Sequence, residues 1–266
     1  MVIVVKGAGD LATGIAHRLK RCGFDILMTE ITNPTMVRRT VSFSQAIYDN
    51  ETVVEGIKAV LVKSVYEAKK VFNEGNIAVI VDKEAECIKE LNPDVVVDSI
   101  IAKKNIGTKI SDAKIVIAVG PGFTANVDCH AVVETKRGHY LGKVIFDGEA
   151  IPNTGVPGDI GGYTTERIIR ASDNGIIKPI VRIGDYVNKG DVVAYVNETP
   201  IYAEISGIVR GMLQDGLNVY KGMKSGDIDP RCEASHCFTI SDKARAIGGG
   251  VLEAILCLRG KTDDKR

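Results

Sequence analysis

Asp128, Cys129, His130 and His139 bring an acid, a thiol and two imidazoles into one short stretch of the chain. A thiolate is a nucleophile, and a neighbouring imidazolium lowers the pKa of the thiol that must supply it. Cys129 is therefore the candidate nucleophile, with His130 or His139 as its base. Asp128 would orient the imidazole or partly oppose its effect. Successive residues of a strand point to opposite faces, which leaves His139 as the alternative partner if Cys129 and His130 do not touch. Two other arrangements suit the same residues: a buried Cys129 beside a hydrogen-bonded His130, and a metal held by Cys129, His130 and His139. No metal is assigned.

The flanking sequence predicts how this group is held. Lys114 to Val119 is an apolar run of strand length that stops at Gly120-Pro121-Gly122, a strong turn signal. Ala131 to Thr135 is a second β-branched run and ends at Arg137-Gly138. The acid, thiol and first imidazole thus fall where a turn enters a strand.

A second set of residues points to a nucleotide. Val2 to Val5 read as a strand, Gly7-Ala8-Gly9-Asp10-Leu11-Ala12 fits G-x-G-x-x-G/A, and Ile15, Ala16, Leu19 and Cys22 carry a helical pattern. A strand over Ile26 to Thr29 then ends at Glu30. In this arrangement Gly7 makes the tight turn, Gly9 lets backbone approach a pyrophosphate, Ala12 lets the helix pack close, and Glu30 accepts from a ribose hydroxyl. Gly7, Gly9, Asp10, Ala12, Glu30, Gly120 and Gly122 form the expected cofactor-binding set. NAD or another nucleotide is the expected ligand. Arg38 and Arg39 could meet a phosphate, and a turn that has lost its ligand is the competing reading.

From Val41 to Val119, β-branched runs alternate with helical segments, which indicates a parallel sheet covered on both faces. Asp82 and Asp98 fall at carboxyl ends of such strands, where capping a loop is their ordinary role. Pro152 to Gly162 reads as a long loop, a hinge or a cover over a ligand, and Arg167 and Arg170 follow it as anion contacts or solvated surface. From Gly175 onward short alternating strands separated by glycine turns predict a small all-β unit. Its Ile183 to Val192 and Pro200 to Val209 segments resemble the barrel-sandwich fold of lipoyl and biotinyl carriers. The tip Asn197-Glu198-Thr199-Pro200 lacks the lysine that such a carrier needs. Ile240, Ala244, Ile247, Val251, Ile255 and Leu258 recur at helical spacing, with Ser241 or Asp242 as cap. Gly248-Gly249-Gly250 inside that helix needs a cause, and close packing of another backbone is the favoured one.

The fold class predicted is α/β: a Rossmann-like doubly wound parallel sheet with a second, small all-β barrel-sandwich-like domain and a C-terminal helix. The boundaries expected are 1–172 for the first domain with the central segment, 173–238 for the β domain, and 239–266 for a helix packing on the first domain. Lys261 to Arg266 reads as a solvated end. Lys and Arg total 34 against 34 for Asp and Glu, so a broad nucleic-acid surface is not expected. No apolar run approaches the ~18 residues that span a bilayer, and the expected location is cytoplasmic. The 6 cysteines are too sparse for a disulfide framework. Cys22, Cys87 and Cys257 read as incidental thiols, and Cys232 and Cys237 only weakly as metal ligands.

Four stretches carry a resemblance to one family: Gly7 to Ala16, Gly120 to His139, Pro152 to Gly155, and Ile240 to Gly250. Together they resemble the accessory proteins of the selenium-dependent molybdenum hydroxylase system, and the likeness runs over nearly the whole chain. The resemblance implies a maturation factor for a hydroxylase of the xanthine dehydrogenase type, which would be its partner, with the molybdenum cofactor as a client ligand. On that reading Cys129 delivers selenium or sulfur while a nucleotide sits at the Gly7–Gly9 turn. A non-catalytic nucleotide-binding assembly scaffold and an NAD-dependent oxidoreductase using His130 for proton transfer are the alternatives. Whether the protein is an enzyme stays open, as does a homo-oligomer.

Overall fold

The computed structural model describes residues 1–155 and 158–263. Val156 and Pro157 of the expected long loop, and Asp264 to Arg266 of the expected solvated end, lie outside the described residues. The chain is a mixed α/β protein in two compact units. The first comprises Met1–Pro34, Ser42–Thr154 and Ile240–Arg266, and the second Thr35–Val41 and Gly155–Thr239.

The first unit holds strands β1 (Val2–Lys6), β2 (Asp25–Glu30), β3 (Glu51–Val54), β4 (Ile57–Val62), β5 (Ile77–Val81) and β6 (Val95–Asp98). It continues with β7 (Ile115–Val119), β8 (Thr124–Ala125), β9 (Ala131–Val133), β10 (Val144–Ile145) and β11 (Gly148–Glu149). Its helices are α1 (Asp10–Arg21), α2 (Ala46–Asp49), α3 (Val65–Asn73), α4 (Cys87–Leu91) and α5 (Asp242–Asp263). Nine strands form one sheet in the order β10-β9-β7-β6-β1-β2-β5-β4-β3. All neighbours are parallel except the two edge pairs, β10 with β9 and β3 with β4. The strand order reverses at β1, which has β2 on one side and β6 on the other. Crevices for ligands open at such a point, outside the carboxyl ends of the strands.

Continuous apolar strands require cover on both faces. Val4, Leu27, Ala78, Val96 and Val116 form one cluster with Val65, Ala68 and Val71 of α3. The alternating Ile3, Val5, Ile26 and Met28 are equally buried, so the opposite face is covered too. Helix α5 packs along α1 in the same direction: Gly14 meets Ala244 and Gly248, and Arg18 lies beside Gly249. The glycine triplet acts as the packing reading expects at two of its three positions. A Cβ on Gly248 would stand 2.8 Å from Gly14 O, and one on Gly250 would collide with Gly142 O. Ser241 caps the helix, its Oγ accepting from Ala244 N–H at 3.2 Å.

The second unit is built from β12 (Gly175–Pro179), β13 (Tyr186–Val187), β14 (Val192–Val196), β15 (Thr199–Tyr202), β16 (Gly207–Met212), β17 (Asn218–Val219) and β18 (Gly226–Asp229). They make two antiparallel sheets, ordered β15-β14-β12-β17 and β13-β16-β18. Residues 155–172, placed with the first domain from the sequence, belong to this second unit. Ile169 N–H donates to Gly226 O, Ala171 N–H to Met223 O, and the Arg167 guanidinium pairs with Asp227. No described helix is long and apolar enough to cross a membrane.

Candidate functional site

The parallel sheet sends the Asp128 to His130 stretch and the Gly7–Gly9 turn to opposite edges. His130 immediately precedes β9, and its backbone N–H donates to Val116 O near the amino end of β7. Gly7 follows the carboxyl end of β1. The thiol stretch and the glycine turn are therefore separated by a strand length, about 10–15 Å at ~3.3 Å per residue, and also by the width of β7 and β6 between them.

The four expected catalytic side chains do not converge: Asp128, Cys129 and His130 precede β9 at the amino edge, whereas His139 follows its carboxyl end. Cys129 is 0% exposed, packed with Phe123, Ala125, Val132 and Ala150. Burial, with Asp128 adding to it, pushes the thiol up to about 12. Asp128 closes its own turn by accepting from Thr124 N–H at 2.8 Å and from Asn105 Nδ2 at 3.0 Å. His130 Nδ1 accepts from Val116 N–H at 3.0 Å, so the ring supplies one more rung to the β7 ladder. Burial lowers its pKa below the ordinary value, and a hydrogen bond accepted at Nδ1 favours the same neutral form. His139 is exposed and meets Tyr140 edge-on. The expectation of a reactive Cys129 thus meets a core thiol, because an apolar pocket disfavours the anion that the chemistry needs.

At the carboxyl edge the glycines divide by what fills the space a Cβ would take. Gly7 has φ +92°, and a Cβ there would stand 3.1 Å from Ser99 O. Gly120 (φ +86°) is closed by Thr135 Oγ1 and Gly122 (φ +101°) by Lys104 Cα. These last two serve close approach of the protein to itself. Gly9 differs, with nothing within 4 Å. It is extended at φ −68°, ψ −175° and precedes α1 without supplying a side-chain cap. Ala12 is buried and serves helix packing. Glu30 accepts from Ala8 N–H at 3.1 Å and from Ile31 N–H at 2.9 Å, so it braces the turn, and its remaining lone pairs can still take a hydroxyl. Burial, outweighing those two hydrogen bonds, raises its pKa.

Asp98 and several residues not singled out from the sequence complete this edge. Lys6 Nζ donates to Thr108 Oγ1 at 2.6 Å, and Thr108 Oγ1 donates to Asp98 Oδ2 at 2.5 Å, all three buried at the reversal of strand order. A lysine interrupting an apolar strand just before a glycine turn was the available signal. Glu134 accepts from the N–H groups of Thr135, Lys136 and Ile151. Arg137 forms a two-pronged pair with Asp242. Lys243, half-buried in the first turn of α5, lies within electrostatic reach of Asp10, Glu134 and Asp242. Burial and then Arg137 lower its pKa against those three acids.

Other candidates have structural partners. Asp82 accepts from Glu86 and Cys87 N–H groups at the start of α4. Arg38 donates to the carbonyls of His236 and Thr239, and Arg39 to Met212 O and Gln214 Oε1, within the second unit. Arg170 donates to Gly222 O. Cys237 is buried and Cys232 exposed. Among the described residues no group of acids, cysteines and histidines could hold a metal ion.

Fold and site together define a mixed α/β protein with an open glycine turn at the reversal point of its large sheet. No family model matches the chain. It is similar to the uncharacterized protein YqeB of Escherichia coli (strain K12), 52% identical over 257 residues, which make up 97% of this chain and 48% of that protein. The chain therefore spans about half the length of the curated relative it matches. Among solved structures, an aspartoacylase family protein of Mesorhizobium loti is 13% identical, covering 85% of this chain and 83% of its own, at a TM-score of 0.27. A succinylglutamate desuccinylase/aspartoacylase of Rhodobacter sphaeroides is 11% identical over 85% of this chain and 84% of its own, at 0.28. Likenesses at these scores carry no argument about activity.

Proposed function

We propose that this chain is an accessory factor for a selenium-dependent molybdenum hydroxylase that works by binding a nucleotide-type ligand at the Gly7–Gly9 turn of a Rossmann-like unit, with no covalent step at Cys129. Gly9 carries the reading. Of the glycines singled out for a ligand, it alone faces open space, and it does so at the uncapped amino end of α1 beside the reversal point of the sheet.

The residues present fit such a ligand. The first-turn amides of α1 would receive its phosphates, Lys243 would offset their charge beside Asp10, and Glu30 would accept from a ribose hydroxyl. A bound nucleotide supplies the charged handle, and these side chains orient it. The two small antiparallel sheets support the barrel-sandwich-like reading of the second unit. With Tyr186, Tyr202 and Tyr220 exposed on it, this unit is the surface for the hydroxylase. The oxidoreductase alternative loses its proton donor, since His130 lies at the other edge of the sheet.

The test is hydroxylase activity in cells whose own copy of the gene is replaced by variants. Cys129→Ala should restore activity and Gly9→Val should not, at equal protein levels. The reverse result would return the delivery role to the thiol.

A further inference from the structure

A cavity at the far end of α1 takes no part in binding at the glycine turn. It has a volume of about 330 Å³ and lies between the Gly14 to Cys22 stretch and the Ile240 to Leu252 stretch. Arg18 and Arg21 of α1 and Arg245 of α5 line it, with His17 in its wall. Arg245 Nη2 is matched by Glu55 Oε1 at 2.6 Å. Among the described residues the guanidinium groups of Arg18 and Arg21 have neither a hydrogen-bond nor an ion-pair partner. Cations in the last turn of a helix complement its dipole, which bears on Arg18 and Arg21 of α1. It does not account for the third guanidinium that α5 brings to the same concavity, where Glu55 balances Arg245 and leaves Arg18 and Arg21 without a counter-charge.

Gly249 adds an independent observation. Its neighbours Gly248 and Gly250 are required by backbone packing, but a Cβ on Gly249 would meet only Arg18, with Nη1 at 3.7 Å. An interior glycine weakens a helix relative to alanine, and here its effect is to leave the Arg18 guanidinium uncovered.

We propose that this cavity is a second binding site, separate from the glycine turn, for the phosphate group of a small phosphorylated ligand clamped by Arg18, Arg21 and Arg245. Guanidinium forks match the oxygen pairs of a tetrahedral oxyanion. A planar carboxylate offers a single such pair, too few for the open forks of both Arg18 and Arg21. The volume is at the lower end of the ~300–1,000 Å³ typical of ligand pockets, so the ligand is small. Arg18 stands roughly 14 Å from Gly9 along the helix axis at ~1.5 Å per residue, so one phosphate cannot serve both places.

His17 is a built-in reporter. Its Nε2 lies 3.4 Å from Glu55 O, and Glu55, Arg21 and Arg245 are the charged groups facing it. Burial leads in holding its pKa below the ordinary value, and an anion among the arginines would raise it.

The experiment titrates the full chain with inorganic phosphate, against chloride and acetate at matched ionic strength, reading Tm and the His17 ring protons by NMR. Phosphate should raise both Tm and the His17 pKa in the wild type, and the His17 response should persist in Gly9→Val, which blocks only the turn. The double variant Arg18→Gln/Arg21→Gln should keep its Tm in chloride and bind phosphate at least tenfold more weakly, with lysine at both positions restoring part of the affinity. A response that survives the glutamine variant, disappears in Gly9→Val, is matched by acetate or chloride, or is missing from the wild type would overturn the proposal.

Discussion

Desolvation and the charge of Asp128 oppose ionisation of Cys129, while hydrogen bonds to the backbone at Ala118 and Ala131 favour it, and the balance leaves the thiol at about 12. Alkylation of the native protein near pH 8 should therefore modify the exposed Cys22, Cys232 and Cys257 and spare Cys129; a labelled Cys129 would contradict its burial. His130 sets a pH dependence. Its folded pKa lies below its ordinary 6.5, so the unfolded chain takes up the proton first. This contribution to stability is complete above pH 6.5 and is lost as pH falls below it. Tm should decline between pH 7 and 5, and His130→Asn, whose Oδ1 can still accept from Val116 N–H, should flatten the decline. Spacing made these residues legible as a group. It could not show that the turn before β9 places Cys129 inward or that the imidazole continues the β7 ladder, because both depend on neighbours in space.

Elements show the same division between pattern and partner. The period of Ile240, Ala244, Ile247, Val251 and Ile255 revealed α5, and G-x-G-x-x-A between two apolar runs revealed the β1-α1-β2 opening. What each glycine is for was not legible, since the answer lies in atoms far along the chain. Gly248→Ala would press a methyl into Gly14 O and should destabilise the protein by about 1–3 kcal/mol. Gly249→Ala should instead stabilise it by up to about 1 kcal/mol, having only ordinary contact to make. Denaturant midpoints of the two variants measure the contrast, and equal shifts would refute the packing account. Glu55, at φ +45° in the turn between β3 and β4, is a further element-scale device. Its carboxylate accepts from Ile240 N–H at 2.8 Å and from Arg245 at 2.6 Å, fastening the start of α5.

At the scale of the molecule the last segment completes the first unit. Ile240, Ile247, Val251 and Ile255 are each at most 5% exposed, and at about 1.5–3 kcal/mol per side chain their burial rivals the ~5–15 kcal/mol that stabilises a whole domain. A chain ending at Thr239 should lose the cooperative unfolding transition of the first unit, read by calorimetry; a retained transition would contradict this. The β-rich stretch and the α/β stretch were legible from their periods. The excursion of Thr35–Val41 into the second unit was not, because its partners, Met212, Gln214, His236 and Thr239, are distant in sequence. The central claim is that the Gly7–Gly9 turn holds a nucleotide-type ligand without covalent help from Cys129. It is tested most directly by mass spectrometry of wild type and Gly9→Val, purified without oxygen from the native host and measured under native and then denaturing conditions. The account predicts a nucleotide-sized mass on the wild type alone, lost on denaturation, with Cys129 unmodified in both. Equal ligand retention by the two proteins, or a thiol-labile adduct on Cys129, would contradict it.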